Sequence, residues 1–193
     1  MPAALHLLFI IYEKKESAVK VFTYVWENSL MEDSLEILIA KQEVTDVLVN
    51  YCHYLDRMEL GSLGELFSTN CSVIYGEHPN LAAFGRVDLI KSLERMWRWQ
   101  NTAHHISNIS IKLVSKKKAQ SQSYIYAWHE KPDSSTAVVF GRYIDQLERF
   151  SKGWQIVERR MDVNGCDKNF RVPVPKAKRK RPPKGWVSPL GID

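Results

Sequence analysis

Apolar positions along this chain keep one period up to residue 99 and another after residue 101. Ile37, Ala40, Val44, Val47, Leu48, Tyr51 and Leu55 recur at i, i+3, i+4 spacing. Glu36, Lys41, Gln42, Glu43 and Asp46 fall on the other face. That is the signature of an amphipathic helix, with Asp33 or Ser34 as its expected N-cap. Gly61 and Gly64 punctuate a second, short helix ending near Phe67. Residues 71–75 then read as a strand, 76–80 as a loop and 87–99 as a third helix. Beyond Asn101, four long segments (103–114, 119–130, 136–150 and 153–163) are rich in Ile, Val, Tyr and Trp. Turn-like stretches at 115–118, 131–135 and 151–153 separate them. Helices followed by long, tightly connected strands predict an α+β fold. We expect a cone-shaped α+β barrel, a curved antiparallel sheet with helices packed across its concave side and a pocket at its mouth.

Composition narrows the class. With 193 residues, 45% hydrophobic and 25% charged, the chain has the make-up of a globular domain rather than a disordered one. The expected organisation is an N-terminal extension over 1–30, a domain over 31–165 and a basic, Pro-rich tail over 166–193. Met31, followed by Glu32, Asp33 and Ser34, marks the expected start of the domain. The apolar stretch 3–12 is too short to span a membrane and has no basic residue before it, so neither an anchor nor a secretory leader is expected. Cys52, Cys71 and Cys166 are odd in number and lack CxxC spacing, which argues against a disulfide scaffold or structural zinc and for a cytoplasmic setting. The net charge of +5 is a property of the tail. Eight basic residues and no acidic ones lie between Lys168 and Lys184, leaving the remainder acidic. A solvated basic tail is a poor nucleic-acid reader, and nucleic-acid binding is not expected.

Three stretches carry a resemblance. Residues 51–67 (YCHYLDRMELGSLGELF), 102–108 (TAHHISN), and 141–145 (GRYID) with 153–160 (GWQIVERR) occur in this order. Together they resemble SnoaL-like domains of the nuclear-transport-factor-2-like superfamily over about 31–163. This group includes scytalone dehydratase, bile-acid 7α-dehydratase and hexachlorocyclohexane dehydrochlorinase. The resemblance implies that Asp56, at the end of the first long helix, pairs with His104 on a later strand. It further implies Tyr51 and Tyr75 as pocket groups and Arg159 as the arginine of the last strand. The third catalytic member is left open, because the next strand offers Ala127, Trp128 and His129.

The chemistry fits these residue types. Elimination of water or halide needs a base near neutral pKa, which histidine supplies. A carboxylate fixes its tautomer and stabilises the imidazolium. Tyrosine hydroxyls can hold a carbonyl that becomes an enolate, and Arg159 can hold a departing anion or a substrate carboxylate. Strand alternation sends His104 and His105 to opposite faces, and likewise Arg159 and Arg160; the motif favours His104 and Arg159. His129 is expected at the surface. Trp97, Trp99, Trp128 and Trp154 are expected in the core or at a subunit contact. Phe84, Phe140 and Tyr143 are expected in the core or on the pocket wall. The chain has no glycine-rich phosphate loop and no His/Cys cluster at ligand spacing, so no metal or nucleotide cofactor is expected.

The expected function is therefore a cofactor-independent lyase, or a related isomerase or cyclase, acting on a small hydrophobic ring compound. The alternative is a non-catalytic subunit or binding module of the same fold, as in the small subunits of ring-hydroxylating dioxygenases. A homo-oligomer is expected, with a trimer favoured.

Overall fold

The computed structural model describes residues 17–76, 78–170 and 181–187, with side chains from residue 33 onward. Two compact units divide the chain at residues 43 and 44. The first contributes the opening turns of helix α1 (Ser17–Asp56). This helix passes through Asp33 and Ser34 without a break, so the expected N-cap there is incorrect. No proline or glycine lies between Ser17 and Met31 to stop it. Ile37, assigned above to the apolar face, is exposed. The segment 1–16 of the expected extension lies outside the described residues.

The second unit holds the rest of the fold. Val44, Val47, Leu48, Tyr51, Cys52 and Leu55 of α1 are buried at helical spacing. The helix ends where Met58 takes a left-handed conformation (φ 54°), its N–H bonded back to the Leu55 carbonyl. Next come α2 (Leu60–Glu65), β1 (Phe67–Ile74), a 3₁₀ turn (Pro79–Leu81) and β2 (Ala82–Phe84). Strand β1 begins four residues earlier than expected, and the three-residue β2 is too short to announce itself by periodicity. Gly85, at φ 96°, turns the chain into α3 (Arg86–Leu93). The third helix then tightens into a 3₁₀ turn over Glu94–Arg98 rather than running on as α-helix to residue 99.

Four long strands follow: β3 (Asn101–Ser115), β4 (Lys118–Glu130), β5 (Thr136–Phe150) and β6 (Gly153–Cys166). The sheet is curved and unclosed, in the order β2-β1-β6-β5-β4-β3. All pairs are antiparallel except β1 with β6. Its inner face is set by alternation: Ala119, Ser121, Ser123, Ile125, Ala127 and His129 of β4 are all buried. On β6 the alternation breaks. Trp154 and Ile156 are buried, then Arg159 and Val163, because an irregularity in the β5–β6 register between Gln146 and Leu147 reverses the parity. A second irregularity falls at Phe140/Gly141. There a side chain on Gly141 would come within 2.7 Å of the Asp162 carbonyl oxygen, so only glycine fits.

Candidate active site

The last residue of α1 faces the edge strand of the sheet. Asp56 accepts three hydrogen bonds from β3: from Thr102 Oγ1 (2.8 Å), from the His104 backbone N–H (2.9 Å) and from His104 Nδ1 (2.5 Å). The carboxylate is thus fixed by a strand register as well as by its ring partner. Burial raises its pKa, but the His104 hydrogen bond and charge, with the other two donors, outweigh this and hold it below the ordinary carboxylate value. The His104 side chain is only 4% exposed. With Nδ1–H given to Asp56, a neutral His104 keeps its lone pair on Nε2. His105, its neighbour, is exposed, as alternation requires.

A cavity of about 70 Å³ opens beside this pair. Tyr51, Tyr75, His104, His129, Tyr143 and Phe170 are among its lining residues. Tyr51 and Tyr75 bring their hydroxyls to 2.6 Å from one another. Burial raises both phenols well above the usual tyrosine value, so both are protonated at neutral pH. Tyr143 packs edge-on against both rings.

Arg159 stands elsewhere than its expected role requires. Its side chain is fully buried and absent from the cavity lining. Nε and Nη2 bond Asp145 at 2.7 and 2.9 Å across the β5–β6 pair. Its guanidinium lies 4.2 Å over the rings of both Tyr51 and Tyr143. It therefore underlies the tyrosines rather than facing a substrate anion. Arg160 is exposed.

His129 was expected at the surface and is not there. It is 3% exposed and lines the cavity, its ring edge-on to His104 at 5.4 Å and tilted on Trp99 at 4.8 Å. Burial, aided by the charge of His104, pushes its pKa down to about 4. Nδ1 lies 3.3 Å from the Ala137 carbonyl, which makes Nδ1 the donor and leaves Nε2 an acceptor. The signal for its inward direction was the alternation it shares with Ile125 and Ala127. Phe170, at the start of the segment 170–175 expected to close the pocket or extend onto a neighbouring subunit, reaches His129 at 5.6 Å because the Asp167 carboxylate accepts from the backbone N–H of Asn169 and Phe170 and from that of Val138. The remaining tail residues up to 180 lie outside the described residues.

The other aromatic expectations divide. Trp154 is in the core, Trp99 lines the cavity, and Trp97 is 65% exposed. Of the three suggested wall residues only Tyr143 lines the cavity; Phe84 and Phe140 are exposed.

A family model described as a SnoaL-like domain matches residues 36–160. A crystal structure from Novosphingobium aromaticivorans, provisionally called a scytalone dehydratase, is 25% identical. It covers 77% of this chain and 99% of that one, with a TM-score of 0.72. A hexachlorocyclohexane dehydrochlorinase from Novosphingobium barchaimii is 13% identical, with 72% and 97% covered and a TM-score of 0.63. A second Novosphingobium aromaticivorans protein, provisionally called an aromatic ring hydroxylase, is 16% identical, with 67% and 93% covered and a TM-score of 0.63. No curated protein matches the chain. Among the described residues no helix is long and apolar enough to cross a membrane.

Proposed function

Because this chain belongs to the SnoaL-like domain family, we propose that it is a lyase of the dehydratase type, or a related isomerase or cyclase, acting on a small hydrophobic ring compound. The observation that carries this reading is the 2.5 Å contact of His104 Nδ1 with Asp56 at the wall of a cavity. His104 Nε2 takes a proton from carbon beside a carbonyl, and Asp56 steadies the imidazolium that results. The Tyr51–Tyr75 pair donates to the carbonyl oxygen as it gains enolate charge. The C–H electron pair becomes the new C=C bond as the leaving group departs with the pair of its own bond to carbon, and a departing hydroxide takes up the proton held by His104 and leaves as water. His129, with Nδ1 committed to Ala137, presents an acceptor to a substrate hydroxyl. Arg159 acts at one remove, holding Tyr51 and Tyr143 in place. None of this requires a resident metal or nucleotide.

The experiment uses a panel of cyclic β-hydroxy ketones and follows the ultraviolet absorbance of the conjugated enone. Wild-type protein should eliminate water from at least one member. His104→Gln should abolish this, and Asp56→Asn should lower kcat by about 10² to 10⁴. Equal rates in wild type and both variants would sink the assignment. A cavity of about 70 Å³ is below the roughly 150 Å³ of an engineered benzene-binding void, and this counts for the alternative of a non-catalytic subunit or binding module. Under that alternative no member of the panel turns over.

The domain is proposed to span 31–165, with 1–30 and 166–193 as extensions. A homo-oligomer is proposed through the outer sheet face, where His105, Tyr126 and Phe140 form an exposed ring cluster with centroids 5.9 and 5.2 Å apart. A trimer is the favoured state.

A further inference from the structure

One wall of the cavity carries charge that the elimination chemistry leaves unused. Arg95 and Arg98 both line it, together with Trp99. They sit three apart in the 3₁₀ turn Glu94–Arg98, whose period brings residues i and i+3 to one side. Arg95 is anchored by the Ser92 carbonyl and hydroxyl, and its guanidinium lies 5.2 Å over the Tyr75 ring. Arg98 lies 4.9 Å over the Trp99 ring. Among the described residues neither has a carboxylate within ion-pair reach, whereas Arg57, Arg86, Arg142, Arg159 and Arg160 each have one. The repulsion is felt: burial and the charge of Arg95 both lower the pKa of Arg98. Beside them the indole N–H of Trp99 is buried with no acceptor. Two guanidinium groups without a carboxylate partner and an orphaned donor on one wall of the cavity form a receptor lacking its anion.

Resting on the ring-substrate reading above, we propose that the substrate carries a compact oxyanion, a carboxylate or phosphate ester, bound by Arg95, Arg98 and the Trp99 N–H. Its ring lies between that group and His104. The spacing is supplied by the aromatic chain Trp99–His129–His104, two ring contacts long. Guanidinium forks suit planar carboxylate and phosphate oxygens alike. The site thus sets both the class of substrate and its orientation, with the anion held at the arginine wall and the reacting carbon at the base.

The test is calorimetric binding of benzoate, phenyl phosphate and the neutral benzamide to the full chain. At least one anion should bind about tenfold or more tightly than benzamide, and the tighter of the two identifies the oxyanion. Arg98→Gln should reduce anion affinity by about tenfold and leave benzamide unaffected. Arg95→Gln should do the same. His104→Gln should leave the preference intact, which separates this site from the elimination chemistry. Equal binding of benzamide and both anions, or unchanged anion binding in the arginine variants, overturns the oxyanion site and leaves the lyase reading to its own assay. Binding of none of the three overturns the ring-substrate reading as well.

Discussion

Protonation of His129 is opposed by its burial and by the charges of His104 and Arg98, which outweigh the Ala137 carbonyl contact and the charge of Asp56. A histidine with a folded pKa near 4 and an ordinary unfolded value near 6.5 binds fewer protons folded than unfolded between those limits. Stability therefore falls as pH drops from about 6.5 to about 4, by roughly 3 kcal/mol at most. Urea midpoints measured across this range should decline in wild type and stay flatter in His129→Gln. Parallel slopes would show that His129 is not buried neutral. The same residue shows how legible the site was. Asp56, His104 and Tyr51 lie in the stretches that carry the resemblance, and Tyr75 lies just past the end of the strand that follows the first of them. His129 had to be read from strand parity, which was available in Ile125 and Ala127 but does not by itself say where the inner face of the strand ends.

Between elements, the β5–β6 pairing matters most for the site. Asp145 and Arg159 face each other directly in the register and are both fully buried. Removing one partner leaves an isolated buried charge, at a cost of about 3–5 kcal/mol. Arg159→Met and Asp145→Leu should each destabilise by that order. The double variant should cost clearly less than the two together, and a urea double-mutant cycle measures the coupling. Additive losses would contradict the pair. This contact was not readable from sequence. Alternation from Trp154 and Ile156 sends Glu158 and Arg160 inward, and only the register irregularity near Gln146 and Leu147 exchanges them for Arg159. The long strands were legible because alternation and turn residues agree over more than ten positions. By contrast, β2 and the 3₁₀ turns are only three to five residues long, too short for a period to repeat often enough to be read.

For the molecule as a whole, the inner and outer faces of the sheet separate the chemistry from the proposed association. The outer cluster of His105, Tyr126 and Phe140 exposes aromatic surface without touching the cavity except through the strand backbone. If copies of the chain associate there, Tyr126→Asp combined with Phe140→Asp should shift the sedimenting species from oligomer to monomer. Binding of a cavity ligand should persist. A wild-type protein that sediments as a monomer at all concentrations would rule this out.

The hydroxyls of Tyr51 and Tyr75, touching at 2.6 Å, and the Tyr143 ring beside them have a spectroscopic consequence. Burial holds all three phenols protonated beyond the pH at which exposed tyrosines ionise. In an alkaline titration the phenolate absorbance should rise in two stages. Phenols in contact with solvent ionise at once, and the buried three ionise only as fast as the fold opens. Because the unfolded chain releases these protons first, stability falls as pH climbs past about 10. The slow stage then reports, without any label, the rate at which the helix end and the sheet part company. Simultaneous ionisation of all the tyrosines would mean that this cluster is open to solvent.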